Sequence, residues 1–402
     1  MNRRMVYFMA VLCVFSLCRS SSFSAEAPAS SISEPFFDVR GGVDNCRIKF
    51  MQQKTGRIAY LGGSITTMKG WRELTYDLFK KRFPETNFEF IDAGIGGTNS
   101  TLGAFRFEED AFKNGPVDLL FLEFAVNDGG GDSPDNRRMR AMEGIVRRAR
   151  RLNPKIDVIM QYFIHQGQIQ EINQGKTPAA ILDHDKVAKH YNIPIINLSQ
   201  EMTRRLNAGE FTWDQFSRDS CHPSPFGHEQ YLQCIEAFLD AAWKKPIAPD
   251  EEMQTYPTPA PLDSMNYENG RFVNVRQTLS IQGWKLVEGW KAEKTCNYGG
   301  PVDVYTAEQP GDELKLVFEG SLIGIYAIAG FDAGILEYSI DHGEAQTLDL
   351  FDYYCTQFHR PVCRILAENL TAGRHEITIR MKKDKNEKST GHACRILKWA
   401  VN

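Results

Sequence analysis

From about residue 57 to residue 243 the chain alternates between short apolar runs and amphipathic stretches. The runs are Ile58–Gly62, Phe88–Ile91, Val117–Phe124, Ile156–Phe163 and Ile193–Leu198. Between them the helical spacing of apolar residues predicts helices over Trp71–Phe83, Leu102–Lys113, Arg137–Leu152 and Ala179–Tyr191, with a last one over Pro225–Trp243. Near-continuous apolar strands separated by amphipathic helices argue for an α/β fold, a parallel sheet covered on both faces. Ligand sites in such sheets lie at the carboxyl ends of the strands.

The pattern changes after residue 243. Lys244 to Leu262 holds five prolines and several acidic residues, and reads as a linker or a wrapping segment. Beyond it come short strand candidates at Glu313–Phe318, Leu322–Ile328, Ile335–Ile340, Thr347–Phe351, Glu376–Arg380 and Arg395–Trp399, separated by Gly, Asp and Asn turns. That is the signature of a β-sandwich. The expected organisation is therefore a leader over 1–24, an N-terminal segment over 25–54, an α/β domain over 55–243, a proline-rich linker over 244–262 and a β-sandwich over 263–402.

The 402 residues are 42% hydrophobic and 24% charged, an ordinary globular composition. A formal net charge of −4 gives no reason to expect nucleic acid or an anionic membrane surface as a partner. Arg3 and Arg4 followed by the apolar run Met5–Cys18 read as a secretory signal, with Ser22-Phe23-Ser24 offering small residues for cleavage before Ala25. The run is too short to span a bilayer, and no later segment is long and apolar enough. Leu17 before Cys18 matches a lipidation site poorly. The expectation is a secreted or periplasmic protein without a membrane span.

Seven cysteines follow the leader, an odd number, and none has zinc-ligand spacing, so neither a metal nor another cofactor is expected. Cys221 with Cys234 is one conceivable disulfide. The oligomeric state is not readable from the chain.

The candidate chemistry gathers at predicted strand ends. Ser64, in Gly62-Gly63-Ser64-Ile65-Thr66, sits at a strand-to-helix turn, where a nucleophile would be exposed and rigidly held. Asp219-Ser220-Cys221-His222-Pro223 offers a base, His222, with Asp219 three residues earlier and able to orient its ring. Asn127 follows the third apolar run and offers an amide donor for an oxyanion; Gly94-Ile95-Gly96-Gly97-Thr98 offers a backbone N–H. Each signal taken singly has a plain alternative, such as a capping serine or a turn-forming asparagine.

Together these blocks resemble the SGNH, or GDSL-type, hydrolase family, over roughly residues 55–243. Ser64 matches the first block, Gly97 the second, Asn127 the third, and Asp219 with His222 the last. The resemblance implies a three-layer α/β/α sandwich and a serine esterase. In it Ser64 attacks the carbonyl, His222 serves as base and then acid, and Asp219 orients His222. Ser64, Gly97 and Asn127 would form the oxyanion hole. Two positions depart from the family pattern: Gly63 stands where an aspartate is usual and Ala125 where a glycine is usual. The α/β-hydrolase elbow does not fit, because Thr66 occupies the place of its second glycine.

Arg106 and Trp71 are further candidates for substrate contact, each with a structural role as the alternative, and His165 for lining the site. His228 is assigned no role. Turns such as Gly330-Phe331-Asp332-Ala333-Gly334 loosely resemble those of jelly-roll modules that accompany secreted carbohydrate esterases. The expected activity is removal of small acyl groups, acetyl foremost, from a carbohydrate. The rivals are a lipase or lysophospholipase of the same family and a carbohydrate-binding protein with an inert hydrolase domain.

Overall fold

Alternation along one strand, β2 (Thr55–Gly62), sets the architecture of the first half. Ile58 and Tyr60 point into one apolar cluster and Ala59 and Leu61 into another, all fully buried. The same split recurs in β4 (Leu119–Leu122) and β5 (Asp157–Gln161). With both faces of each strand buried, helices must cover both sides. The structure is a computed structural model that describes residues 35–129, 135–275, 280–295 and 300–402. The leader over 1–24, the start of the segment 25–54, Gly130-Gly131 and Cys296 lie outside the described residues.

With β1 (Phe37–Asp38), β3 (Asn87–Gly94) and β6 (Ile195–Ile196), these strands form a six-stranded sheet of order β1-β6-β5-β4-β2-β3. All neighbours are parallel except β1, which runs antiparallel to β6. The helices in chain order are α1 (Asp44–Ile48), α2 (Ser64–Thr67), α3 (Trp71–Arg82), α4 (Ser100–Phe107), α5 (Ala125–Asp128), α6 (Asp135–Leu152), α7 (Ile169–Asn173), α8 (Ala179–His190), α9 (Leu198–Asn207), α10 (Trp213–Phe216) and α11 (Pro225–Ala242). One face of the sheet is covered by α4, α6 and α8, the other by α1, α3, α9 and α11. Strand order reverses between β2 and β4, so their carboxyl ends open a crevice there.

The second half is built from β7 (Arg271–Asn274), β8 (Ser280–Gln282), β9 (Lys285–Trp290), β10 (Val302–Ala307), β11 (Glu313–Gly320), β12 (Ile323–Ala329), β13 (Ile335–Ile340), β14 (Gln346–Asp349), β15 (Arg360–Ala367), β16 (Gly373–Met381) and β17 (Cys394–Val401). One antiparallel sheet runs β15-β12-β17-β10-β9, with β7 also on β17; the other runs β14-β13-β16-β11-β8. Inward residues of both, such as Leu316, Ile325, Ile379 and Trp399, fill one core.

The two halves share apolar packing. Leu322 and Ala400 of the sandwich belong to the cluster around α4 and α6, and Phe272, Cys363 and Ile365 pack against it. The proline-rich stretch between the halves lies along α6. Arg150 donates to the Pro257 carbonyl at 2.6 Å, and Arg147 to that of Pro259 at 2.8 Å. A Cβ on Gly144 would overlap the backbone at Tyr267, just past that stretch, so only glycine lets the chain there lie this close. Among the described residues no helix is long and apolar enough to cross a membrane.

Candidate active site

The crevice at the strand reversal is where three of the four blocks meet. The backbone leaves β2 at Gly62, turns at Gly63, and starts α2 at Ser64. The turn is closed by the Thr67 amide and hydroxyl, each donating to the Gly63 carbonyl at 3.0 Å. A Cβ at Gly62 would overlap Thr66 Oγ1, and one at Gly63 would overlap Asn127 Oδ1. The aspartate usual in the family pattern has no room at Gly63, because the asparagine side chain fills that space.

Asn127 does not end a strand. The strand β4 stops at Leu122, and Asn127 lies in the helical turn α5. Its neighbour Asp128 is buried and pins this turn. One carboxylate oxygen accepts from the Ser100 amide at 2.9 Å, the other faces His184 Nε2 at 2.7 Å. Gly97 closes the loop after β3 at φ 70°, the left-handed region where glycine is favoured. The Thr98 carbonyl lies 3.4 Å from where a Gly63 Cβ would stand, so the loops carrying Ser64, Gly97 and Asn127 adjoin.

The last block is held between α10 and α11. Trp213 Nε1 donates to the Asp219 carbonyl at 2.8 Å. The Gln166 amide donates to the Ser220 carbonyl at 2.8 Å, which ties the loop to the segment after β5. Ser224 caps α11, with Pro225 in its first turn, so His222 remains in the loop just before that helix. Asp219 Oδ1 accepts from the backbone N–H groups of both Cys221 and His222 at 2.8 Å. Asp219 Oδ2 faces His222 Nδ1 at 2.8 Å, and His222 Nε2 faces Ser64 Oγ at 2.8 Å.

Burial would raise the Asp219 pKa, but the two N–H donors and the imidazole outweigh it and bring it down to about 2. An ionised carboxylate only accepts, so the proton belongs on Nδ1 and Nε2 is free to take the Ser64 hydroxyl proton. Burial, reinforced by Asp219, pushes the Cys221 thiol up to about 11, so at neutral pH it is no competing nucleophile. Below the crevice, burial pushes Glu123 up to about 8.

Two sequence candidates for substrate contact are corrected. Trp71 is 1% exposed, packs on Tyr60, Phe121 and Phe163, and donates its Nε1–H to the Ile65 carbonyl at 3.2 Å. It is core. Arg106 is 2% exposed and donates to the carbonyls of Ala93 at 2.6 Å and Gly62 at 3.0 Å and to Asp110 at 2.7 Å. It clamps the ends of β2 and β3 from beneath and does not meet solvent. His165 is half-buried, and its Nδ1 accepts from the Gly167 amide at 3.0 Å. His228 is buried against Gly70, and burial lowers it to about 4. Cys221 and Cys234 are both free thiols, so the conceivable disulfide is absent. Sequence reasoning missed Asp128, for which adjacency to Asn127 was the only signal, and Trp213, for which there was none.

A serine, histidine and aspartate in hydrogen-bonded series at the switch point of a parallel sheet define the class of the serine hydrolases. Residues 60–230 match the model of the GDSL-like Lipase/Acylhydrolase family. Two solved structures of a two-domain esterase (CEX) active on acetylated mannans are similar over both halves. One superposes with TM-score 0.72 at 25% identity, covering 90% of this chain and 96% of that one. The other, co-crystallised with mannopentaose, gives 0.71 at 24% identity, with the same coverage. An acetylxylan esterase from Geobacillus stearothermophilus covers 46% of this chain and 94% of its own, at 15% identity and TM-score 0.40. That likeness is too distant to bear on function. Among curated proteins none matches the chain.

Proposed function

We propose that this protein is an exported serine esterase that removes acetyl groups from a polysaccharide. The observation that carries the reading is the single imidazole bridging two groups, 2.8 Å from Ser64 Oγ on one side and 2.8 Å from Asp219 on the other. In the proposed reaction Ser64 Oγ attacks the acetyl carbonyl while His222 Nε2 takes its proton. The charge that develops on the carbonyl oxygen is met by the Ser64 and Gly97 amides and the Asn127 side chain. His222 then returns the proton to the departing sugar oxygen, and an acetyl-serine remains. Water, deprotonated by the same nitrogen, releases acetate.

The substrate class rests on the 25% identical two-domain neighbour, whose acetylated mannan points to an acetylated polysaccharide here. An open setting agrees with a short acyl group: the side chains of His222 and Asp219 are 34% and 52% exposed. A lipase would need a long apolar groove leading to Ser64. Export rests on the basic and apolar start of the sequence.

The test is acetate release from acetylated mannan, acetylated xylan and an aryl acetate. Ser64→Ala should lower turnover at least about a thousandfold on every substrate that the wild type uses, because such residues act as a unit. Retained activity in this variant, or preference for long-chain acyl esters in the wild type, would overturn the reading.

A further inference from the structure

Acyl transfer has no use for the Cys221 side chain. Only its backbone N–H serves Asp219, and any residue but proline supplies that. Yet the thiol lies 3.6 Å from His222 Nδ1, and the ligand atoms of Asp219, Cys221 and His222 all lie within 4.8 Å of one another. We propose that these three residues form a site for a soft divalent cation, zinc(II) above all, and that its occupancy switches the esterase off.

The spacing suits a tetrahedral ion. Zinc–sulfur and zinc–nitrogen bonds of about 2.3 and 2.0–2.1 Å, set at a tetrahedral angle, put the two ligand atoms about 3.6 Å apart. That is the observed separation of Sγ and Nδ1. Asp219 can supply the third ligand by a side-chain shift. Its Oδ2 lies 2.8 Å from Nδ1. Zinc–oxygen and zinc–nitrogen bonds of about 2.0–2.1 Å at a tetrahedral angle put these atoms about 3.3 Å apart, so Oδ2 moves aside to admit the ion. Its Oδ1 keeps both backbone N–H bonds, while Oδ2 exchanges one imidazole proton for the metal. Thiolate, imidazole and carboxylate are all accepted by zinc, and the thiolate selects against magnesium and calcium. The loop admits the ion, since the His222 and Asp219 side chains are 34% and 52% exposed, and water can complete the fourth position.

The inhibitory step follows from proton balance. The ion displaces the thiol proton to solvent and takes the lone pair of Nδ1. The imidazole proton then sits on Nε2, the nitrogen that faces Ser64. A protonated Nε2 cannot accept the hydroxyl proton, so the cation imposes the wrong tautomer on the base. This consequence rests on the proposed esterase reading; the binding of the ion does not.

The test uses the full chain stripped of metal, an aryl acetate as substrate, and zinc chloride, magnesium chloride or cobalt(II) chloride as probes. Zinc should abolish wild-type turnover reversibly, with recovery on adding a chelator, and magnesium should not. Cys221→Ala should keep zinc-free turnover, and its half-inhibitory zinc concentration should rise by more than about 100-fold, since loss of a group that merely orients a ligand already costs about 10–100-fold. Cys221→Ser, closer in size, should behave alike. Cobalt(II) should give a thiolate-to-metal charge-transfer band in the near ultraviolet with the wild type and none with either variant. Equal zinc sensitivity in wild type and variants, or no cobalt band with the wild type, would overturn the proposal. A cobalt band in a protein that hydrolyses no ester would refute the esterase reading and leave the cation site standing.

Discussion

Gly63 carries a function that no single residue announces. Its missing side chain is the space into which Asn127 fits, and the two are 64 positions apart in the chain. Gly63→Ala should therefore displace the asparagine and leave the fold intact, as circular dichroism would show. With Asn127 as the proposed oxyanion donor, a contact worth about 10²–10³ in kcat, turnover should fall by up to that much with KM little changed. The Gly63→Ala/Asn127→Ala double variant should be no worse than Asn127→Ala alone, since both remove one interaction. Additive losses would mean that Gly63 acts elsewhere. At this scale the Asp219–His222 pair was legible because three residues of spacing in one turn nearly fix its geometry. Arg106 and Trp71 were misdirected because sequence position does not tell how deep a side chain lies. Each hangs below the strand ends: Trp71 Nε1 and the two terminal nitrogens of Arg106 donate to backbone carbonyls there.

Strands and helices were legible in proportion to their length. The five apolar runs became β2 to β6, all shorter than the runs except β2 and β3, because the flanking apolar residues enter turns packed on the same core. The two-residue β1 leaves no periodicity to read, and α9 was overlooked behind the run that precedes it. Two strand ends carry buried acids with a consequence for stability. Burial pushes Glu123, just past β4, up to about 8, and Asp157, which starts β5, up to about 7. Both carboxyls titrate near 4 when unfolded. Between those values the folded state holds protons that the unfolded state releases, so their stabilisation is complete below pH 4 and is lost as pH rises through 7 and 8. The melting temperature should decline from pH 5 to pH 9, and Glu123→Gln should flatten that decline. An equally steep decline in the variant would show that Glu123 is charged in the folded protein.

Across the whole molecule, α6 is the element to which distant parts are fastened. Arg137 and Arg140 bind Glu368 of the sandwich, Arg140 also binds Asp263 at 2.7 Å, and Arg147 binds Glu268. Beneath these pairs Leu322 and Ala400 complete an apolar cluster that the α/β half begins. A chain truncated after about residue 250 should therefore be insoluble or lack cooperative unfolding, because it would expose that cluster and leave the α6 carboxylate Glu143 without the Leu262 and Asp263 amides. A soluble truncation that melts like the intact chain would contradict this. Six of the eleven strands described in the sandwich were legible from its turns, while β7 to β10 and β15 were not. Its attachment was not legible either, since nothing in β12 or β17 distinguishes a residue facing its own core from one facing a neighbour. That shared cluster also bears on how fast the protein can acquire its shape. Lys398 meets Glu109 across 289 positions, and contacts this distant must wait for the closure of very long loops. Refolding from denaturant should be slow, and at high concentration aggregation competes with it, because an early α/β intermediate presents an apolar face that only the latest-formed contacts can hide.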